Sequence, residues 1–434
     1  MLISVITFLD TFAVGVVNAI YPTLVQSKLL GATLFACIMS AANAAALIGS
    51  TYYGRLSDVN GRRTAILASL CTTFFGFALY VAGFACDGYL LLASARMVLP
   101  AAGRVISGMG RAALASPVLA LLADHADGDA MTMHATTTTR VVATFGFGYA
   151  IGSAVGGFLV DVGGPWLNLS LISTCSVVEI ACAWHLPRQA TSSGAKVLPA
   201  AAATASKAAG GLPAGGSSGK PDASTWVTAL YAALAVPTTR ALLLLQGLAA
   251  ASFHVYDSTS AIYVQDALGY SASQRGYIHS YAGWMFALMT HFAVPVIVTC
   301  ARPQLLLCTA LLCTAVGRFG LAAASRLSLP TLSIVCSYPI LNLGQGMTHT
   351  MLKALMATAA GAEDLGLLLG VLGSVEKGFG VLGPLLGGPA YDRLGPAAPA
   401  CLSAMLAIVG CATAALVDVE KTKPEAVKRR KKVD

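Results

Sequence analysis

Apolar residues run along this chain in long blocks with few polar interruptions. Each block is about twenty residues, the length a helix needs to cross a hydrocarbon core of about 30 Å. Twelve can be marked: 2–24, 32–53, 64–84, 90–122, 134–160, 166–187, 241–264, 276–299, 304–324, 329–352, 365–389 and 397–417. The gaps are short except at 188–226, an Ala/Gly/Ser/Pro stretch with scattered lysines. That composition buries no core and predicts a flexible linker with six spans on either side. One block fits poorly. Residues 90–122 would make a helix of about 50 Å and carry Arg96, Pro100, Arg104 and Arg111. Either the helix kinks at Pro100 and protrudes, or several of these residues lie outside the span.

One phrase occurs twice. Gly-(Ser/Pro)-x-x-Gly-Gly-x-x-x-Asp reads at 152–161 in the fifth span and at 383–392 in the eleventh, offset by 231 residues. A shorter echo, Ala-Ile-Tyr, stands at 19–21 and 261–263. Matching phrases at matching places mark an internal duplication. The expected architecture is therefore an all-α membrane protein of about 12 transmembrane helices in two pseudo-symmetric six-helix bundles. The expected domains are 1–187, a cytosolic linker at 188–240, 241–418, and a tail at 419–434. Gly148, Gly152 and Gly156 recur every four residues, as do Gly380, Pro384 and Gly388. With Gly157, Gly383 and Gly387 they are expected to let helix backbones approach closely. Pro384 also removes a helical hydrogen bond and is expected to bend the eleventh span more than Ser153 bends the fifth.

Composition agrees with a membrane protein. The chain is 56% hydrophobic and 11% charged, where soluble domains carry about 25% charged residues. With the N-terminus in the cytosol, the inner loops and tail hold sixteen Lys/Arg and the outer loops four, namely Lys28, Arg275, Arg326 and Arg393. The positive-inside rule then puts both termini in the cytosol. Net charge is +8, and seven Lys/Arg lie in the last sixteen residues. This tail suits anionic lipid rather than nucleic acid. The eleven cysteines form no C-x-x-C pair and read as small packing residues. The sequon at Asn168 lies too close to the membrane to be glycosylated. No cleavable leader is expected, because the first apolar run contains Asp10 and further spans follow.

The loop after the second span reads GRLSDVNGRR, with Gly54, Asp58, Gly61, Arg62 and Arg63. Gly54 and Gly61 permit close packing and a tight turn. Asp58 suits the start of the third helix, where the dipole favours an anion. The spacing resembles the signature loop of the major facilitator superfamily, with Val59 where a base is usual. The resemblance implies a loop that ties the two halves on the cytosolic side. Its counterpart, CARPQ, keeps only Arg302. The fourth span holds Arg104-x-x-x-Gly108 and ends at Asp124, which resembles the arginine motif of drug:proton antiporters. There the arginine is implicated in proton transfer. Arg96 competes for the assignment, and Arg104 is favoured because its glycine stands in register. The span 5 glycines and Asp10 extend that resemblance, whose nearest members are tetracycline exporters and vertebrate organic-cation-transporter-like proteins.

Ionisable side chains inside spans cost about 2.5–3.5 kcal/mol at a helix centre and usually face a cavity or a partner. Asp10, Arg104, His254, Asp257 and Glu376 are the candidates for a proton or substrate pathway. His254 and Asp257 share a helix face. The function expected is secondary active transport of a small organic solute by alternating access. Proton-coupled efflux of an organic cation or drug-like compound is the first form. A nutrient facilitator or symporter, and a non-transporting receptor or scaffold, are the alternatives. The protein is expected to work as a monomer. No cofactor, metal or enzymatic site is expected, because no nucleophile, metal-ligand or phosphate-loop spacing occurs.

Overall fold

The computed structural model describes residues 2–26, 31–85, 98–111, 130–186, 236–298, 300–359 and 365–416. Twelve helices cover them. The first six are α1 (Leu2–Gln26), α2 (Ala32–Asn60), α3 (Arg62–Ala85), α4 (98–111), α5 (Ala130–Gly163) and α6 (Pro165–Trp184). The second six are α7 (Pro237–Asp266), α8 (Ala272–Leu288), α9 (Pro303–Ala323), α10 (Pro330–Ala359), α11 (Leu365–Leu394) and α12 (Ala398–Leu416). A π turn, Met289–Ala293, and a last turn, Val294–Ile297, continue α8. Eight helices are long and apolar enough to cross a membrane, among the described residues. The others are described only in part or carry polar groups, as α7 does with Gln246, His254 and Asp257. Helices suit lipid because each satisfies its own backbone.

Some boundaries differ from the sequence reading. Helix α7 begins at Pro237, inside the segment expected as linker, because proline's fixed φ suits the first helical turn. The described part of α4 has Pro100 in its first turn, packed against Gly83 of α3. Arg275 is not a loop residue. It lies buried in the first turn of α8, which starts at a capping box between Ser271 and Gln274. Asp124, most of the linker and the basic tail lie outside the described residues.

The packing repeats between halves. Helix α1 packs on α5 as α7 packs on α11, and α3 packs on α6 as α9 packs on α12. The halves meet through α2 against α11 and α5 against α8. The doubled phrase lies at these seams. Its first glycines face within their own half: Gly148 and Gly152 lie on Phe8 and Phe12, Gly156 on Val16, Gly383 on His254, and Gly387 on Val255. Its next glycine faces the other half. A Cβ on Gly157 would lie 2.9 Å from Gly276 Cα of α8, and one on Gly388 would lie 2.8 Å from Thr33 Cα of α2. Glycine is needed at both for the backbones to approach this closely.

The terminal aspartates complete the seams in the same way. Asp161 Oδ2 accepts a hydrogen bond from Ser273 N at 2.8 Å, and Asp392 Oδ2 accepts one from Thr33 N at 2.8 Å. Each donor is the second residue of a helix in the opposite half. A carboxylate here satisfies an orphan N–H and meets the positive end of the helix dipole. Further along the α2–α11 seam, Ser40 Oγ donates to Val381 O at 2.7 Å and Asn43 Nδ2 to Gly380 O at 2.6 Å. Among the described residues, the hydrogen bonds between halves lie from mid-helix to this end, called the far end. The end with the α2–α3 turn is called the basic end.

Replacing both Asp161 and Asp392 by Asn should loosen the far end. A surface charge–dipole contact contributes about 0.3–1 kcal/mol, so two together should raise the open population about 3- to 30-fold. The check is the alkylation rate of a cysteine placed at buried Ser153, in a protein otherwise free of cysteine. An unchanged rate would contradict the capping role.

Candidate functional site

Polar groups from both halves converge near the middle of the molecule. Asp257 stands on α7, two turns and a half from its far end, and is exposed to solvent. Its electrostatic neighbours are Arg318 of α9 and Arg104 of α4. Arg318 is buried, and its guanidinium lies 4.3 Å from the ring centre of Tyr256, a cation–π contact that offsets part of its desolvation. Tyr149 of α5 faces Asp257 from the first half and accepts a hydrogen bond at its hydroxyl from Asn18 Nδ2 at 3.2 Å. The site thus sets two guanidiniums and one carboxylate among tyrosines. Arg104 Nε also lies 3.4 Å from Met39 Sδ, while Gly108 brings α4 close to Ala42 of α2.

The other candidates separate into two clusters. Asp10 does not meet Arg104. It pairs with Arg111, whose Nε and Nη2 donate to Oδ1 and Oδ2 at 3.0 and 3.3 Å. This is a two-point ion pair, with Asp10 only 5% exposed. Glu179 of α6 lies beside both. His254 faces away from Asp257's partners. It packs on Gly380 and has Glu376, Lys377 and His349 as titratable neighbours. Glu376 Oε2 accepts from Gln246 Nε2 at 3.1 Å. The shared-face reading of His254 and Asp257 therefore joins two residues that serve different surroundings.

At the basic end, Gly61 takes φ 87°, which explains glycine at that turn. Gly54 differs from expectation, since a Cβ there would meet no described atom within 4 Å. Asp58 stands on the last turn of α2. Arg62 donates to Ser57 Oγ at 3.0 Å. Arg63 donates to Trp184 O and lies over that indole. These partners belong to the loop's own half, as expected of a state whose halves are joined at the far end. Asn168 of the sequon is fully buried and donates to Gly156 O at 2.9 Å and Val16 O at 3.3 Å. It is a packing residue at the α1–α5–α6 junction.

Sequence reasoning missed Arg111, Glu179 and Arg318 as site residues. The available signal was their charge inside apolar runs. Arg111 and Arg104 are seven residues apart, so they share a helix face and differ only in depth.

Known proteins share the fold of this chain. A family model described as Major Facilitator Superfamily matches residues 3–375 and 242–433. Over 183 residues the chain is 28% identical to the tetracycline resistance protein, class D, of Salmonella ordonez, covering 41% of this chain and 42% of that relative. The match therefore spans less than half of that relative's length. Among solved structures, the nucleoside transporter NupG aligns with TM-score 0.72 at 12% identity, over 95% of this chain and 98% of that one. A D-xylose-proton symporter aligns with TM-score 0.69 at 14% identity, over 94% and 95%. The human organic anion transporter MFSD10 (TETRAN) aligns with TM-score 0.60 at 17% identity, over 95% and 98%. At these identities the structures share the fold alone. With the family matched along nearly its whole length, the chain belongs to the major facilitator superfamily, a family of membrane transporters and not of enzymes.

Proposed function

We propose that this transporter exchanges a small organic solute for protons by alternating access, with the basic end and both termini in the cytosol. The observation that carries the reading is Asp257, a solvent-exposed carboxylate whose electrostatic neighbours are Arg318 of its own half and Arg104 of the other. A solute seated there touches both halves, so its binding and their relative motion are coupled. With the far end outside, the state described is closed to the outside by the Asp161 and Asp392 caps.

The charge inventory refines the class of solute. One carboxylate with two guanidiniums as neighbours is not an acidic pocket that would select a simple monocation. It complements a zwitterion, or a solute with an anionic group and an aromatic body for the tyrosines. This departs from the organic cation suggested by resemblance alone. The relatives' names agree with such a range, one for tetracycline resistance and one for organic anions.

Proteoliposomes with an acidic interior, diluted into neutral buffer, test this. Tetracycline and carboxyfluorescein should accumulate more than ethidium, and nigericin should abolish the accumulation. Preference for ethidium would contradict the charge reading; indifference to nigericin would contradict proton coupling. Asp257→Asn should lower the rate by about tenfold or more, the scale of one lost charge-assisted contact to the solute, with the protein still monodisperse. A wild-type rate in that variant would remove Asp257 from the site.

A further inference from the structure

Among the described residues, the cluster of Asp10, Arg111 and Glu179 holds two carboxylates and one guanidinium. Arg111 is committed to Asp10 through two hydrogen bonds. Glu179 is 1% exposed, and its Oε1 has no hydrogen-bond partner among the described residues. The groups facing it are Asp10 from α1, Arg111 from α4 and the buried Cys175 thiol one turn away on α6. From α3, Arg63 is engaged with Trp184 at the end of α6, and the described side chains of α5 bring no charge to this cluster. A second carboxylate with no counter-ion of its own among the described residues is costly to hold charged out of water. A neutral carboxyl is not.

We propose that Glu179 is the group that binds and releases the proton exchanged for solute, a role that rests on the proton-coupled reading above. In the closed, dry cluster Glu179 holds the proton. When the cluster opens to water, its O–H bond breaks, the proton passes to solvent, and the electron pair stays on the carboxylate. Arg111 is then shared between Glu179 and Asp10. Helix α4 connects this event to the solute. Arg104 lies seven residues from Arg111 on the same face, about 10 Å away along the axis, and Arg104 neighbours Asp257. A shift of Arg111 between carboxylates therefore moves the helix that supplies part of the central site.

The test uses the full chain, with Glu179→Gln as a neutral isostere and Glu179→Asp as the conservative variant. Infrared difference spectra across a pH titration should show a buried carboxyl C=O band that is lost in E179Q and retained, shifted, in E179D. In proteoliposomes, gradient-driven accumulation of tetracycline should fall by about tenfold or more in E179Q, the scale of a lost proton-transfer group. Tetracycline–tetracycline counterflow, in which no net proton moves, should fall less than the gradient-driven accumulation does. A carboxyl band that persists in E179Q, or gradient-driven accumulation that survives the substitution, would overturn the proposal. A band lost in E179Q from a wild type that ignores the gradient would show a proton-binding group and overturn its part in exchange. Monodisperse E179Q with a wild-type melting temperature would separate all of these from misfolding.

Discussion

Helices in lipid gain little by hiding apolar surface from one another, so close backbone approach and the hydrogen bonds it allows must hold them. In this protein that constraint is met by one phrase used twice. Gly157 and Gly388 let α5 meet α8 and α11 meet α2. Asp161 and Asp392 then cap the helices so met. The equivalence follows from duplication: each half supplies a glycine face and an acid, and each receives them on a helix start. A contact of this kind is weak for an individual cap and depends on near-perfect approach. It suits an interface that has to form and break within each cycle.

The charged groups obey the complementary constraint, that a buried charge needs a partner or water. Asp10 has Arg111, Arg318 has the Tyr256 ring, and Asp257 has solvent with two guanidiniums in range. Glu179 is buried and has no hydrogen-bond partner at Oε1 among the described residues. The central site and the Asp10 cluster lie on a common strut, α4, through Arg104 and Arg111. In the proposed mechanism, solute charge at one level and carboxylate protonation at the other act on the same helix.

Much of this was legible in the sequence. The twelve blocks, the 231-residue offset and the signature loop specify a duplicated helical bundle, because span length and small-residue spacing are local properties. Partner choice was not legible. Nothing local distinguishes Arg104 from Arg111 as the mate of Asp10, since a seven-residue step preserves the face and only three-dimensional depth decides. Arg275 resembled a loop charge because four polar or small residues precede it, yet the capping box at Ser271 starts α8 early and buries it. Asn168 resembled a sequon because spacing says nothing of burial. The final aspartates of the doubled phrase were visible as repeats, but their partners lie more than a hundred residues away in sequence.

Alternation between two ends is the central claim, and paired distances test it most directly. Spin labels at Val162 and Tyr277 would report the far end, and labels at Val59 and Ala354 the basic end; all four residues are exposed. Double electron–electron resonance on the reconstituted protein, with and without tetracycline at neutral and acidic pH, gives both distributions. Alternating access predicts opposite changes, the far-end distance lengthening as the basic-end distance shortens. Distances that stay fixed under every condition, or that lengthen and shorten together, would contradict it.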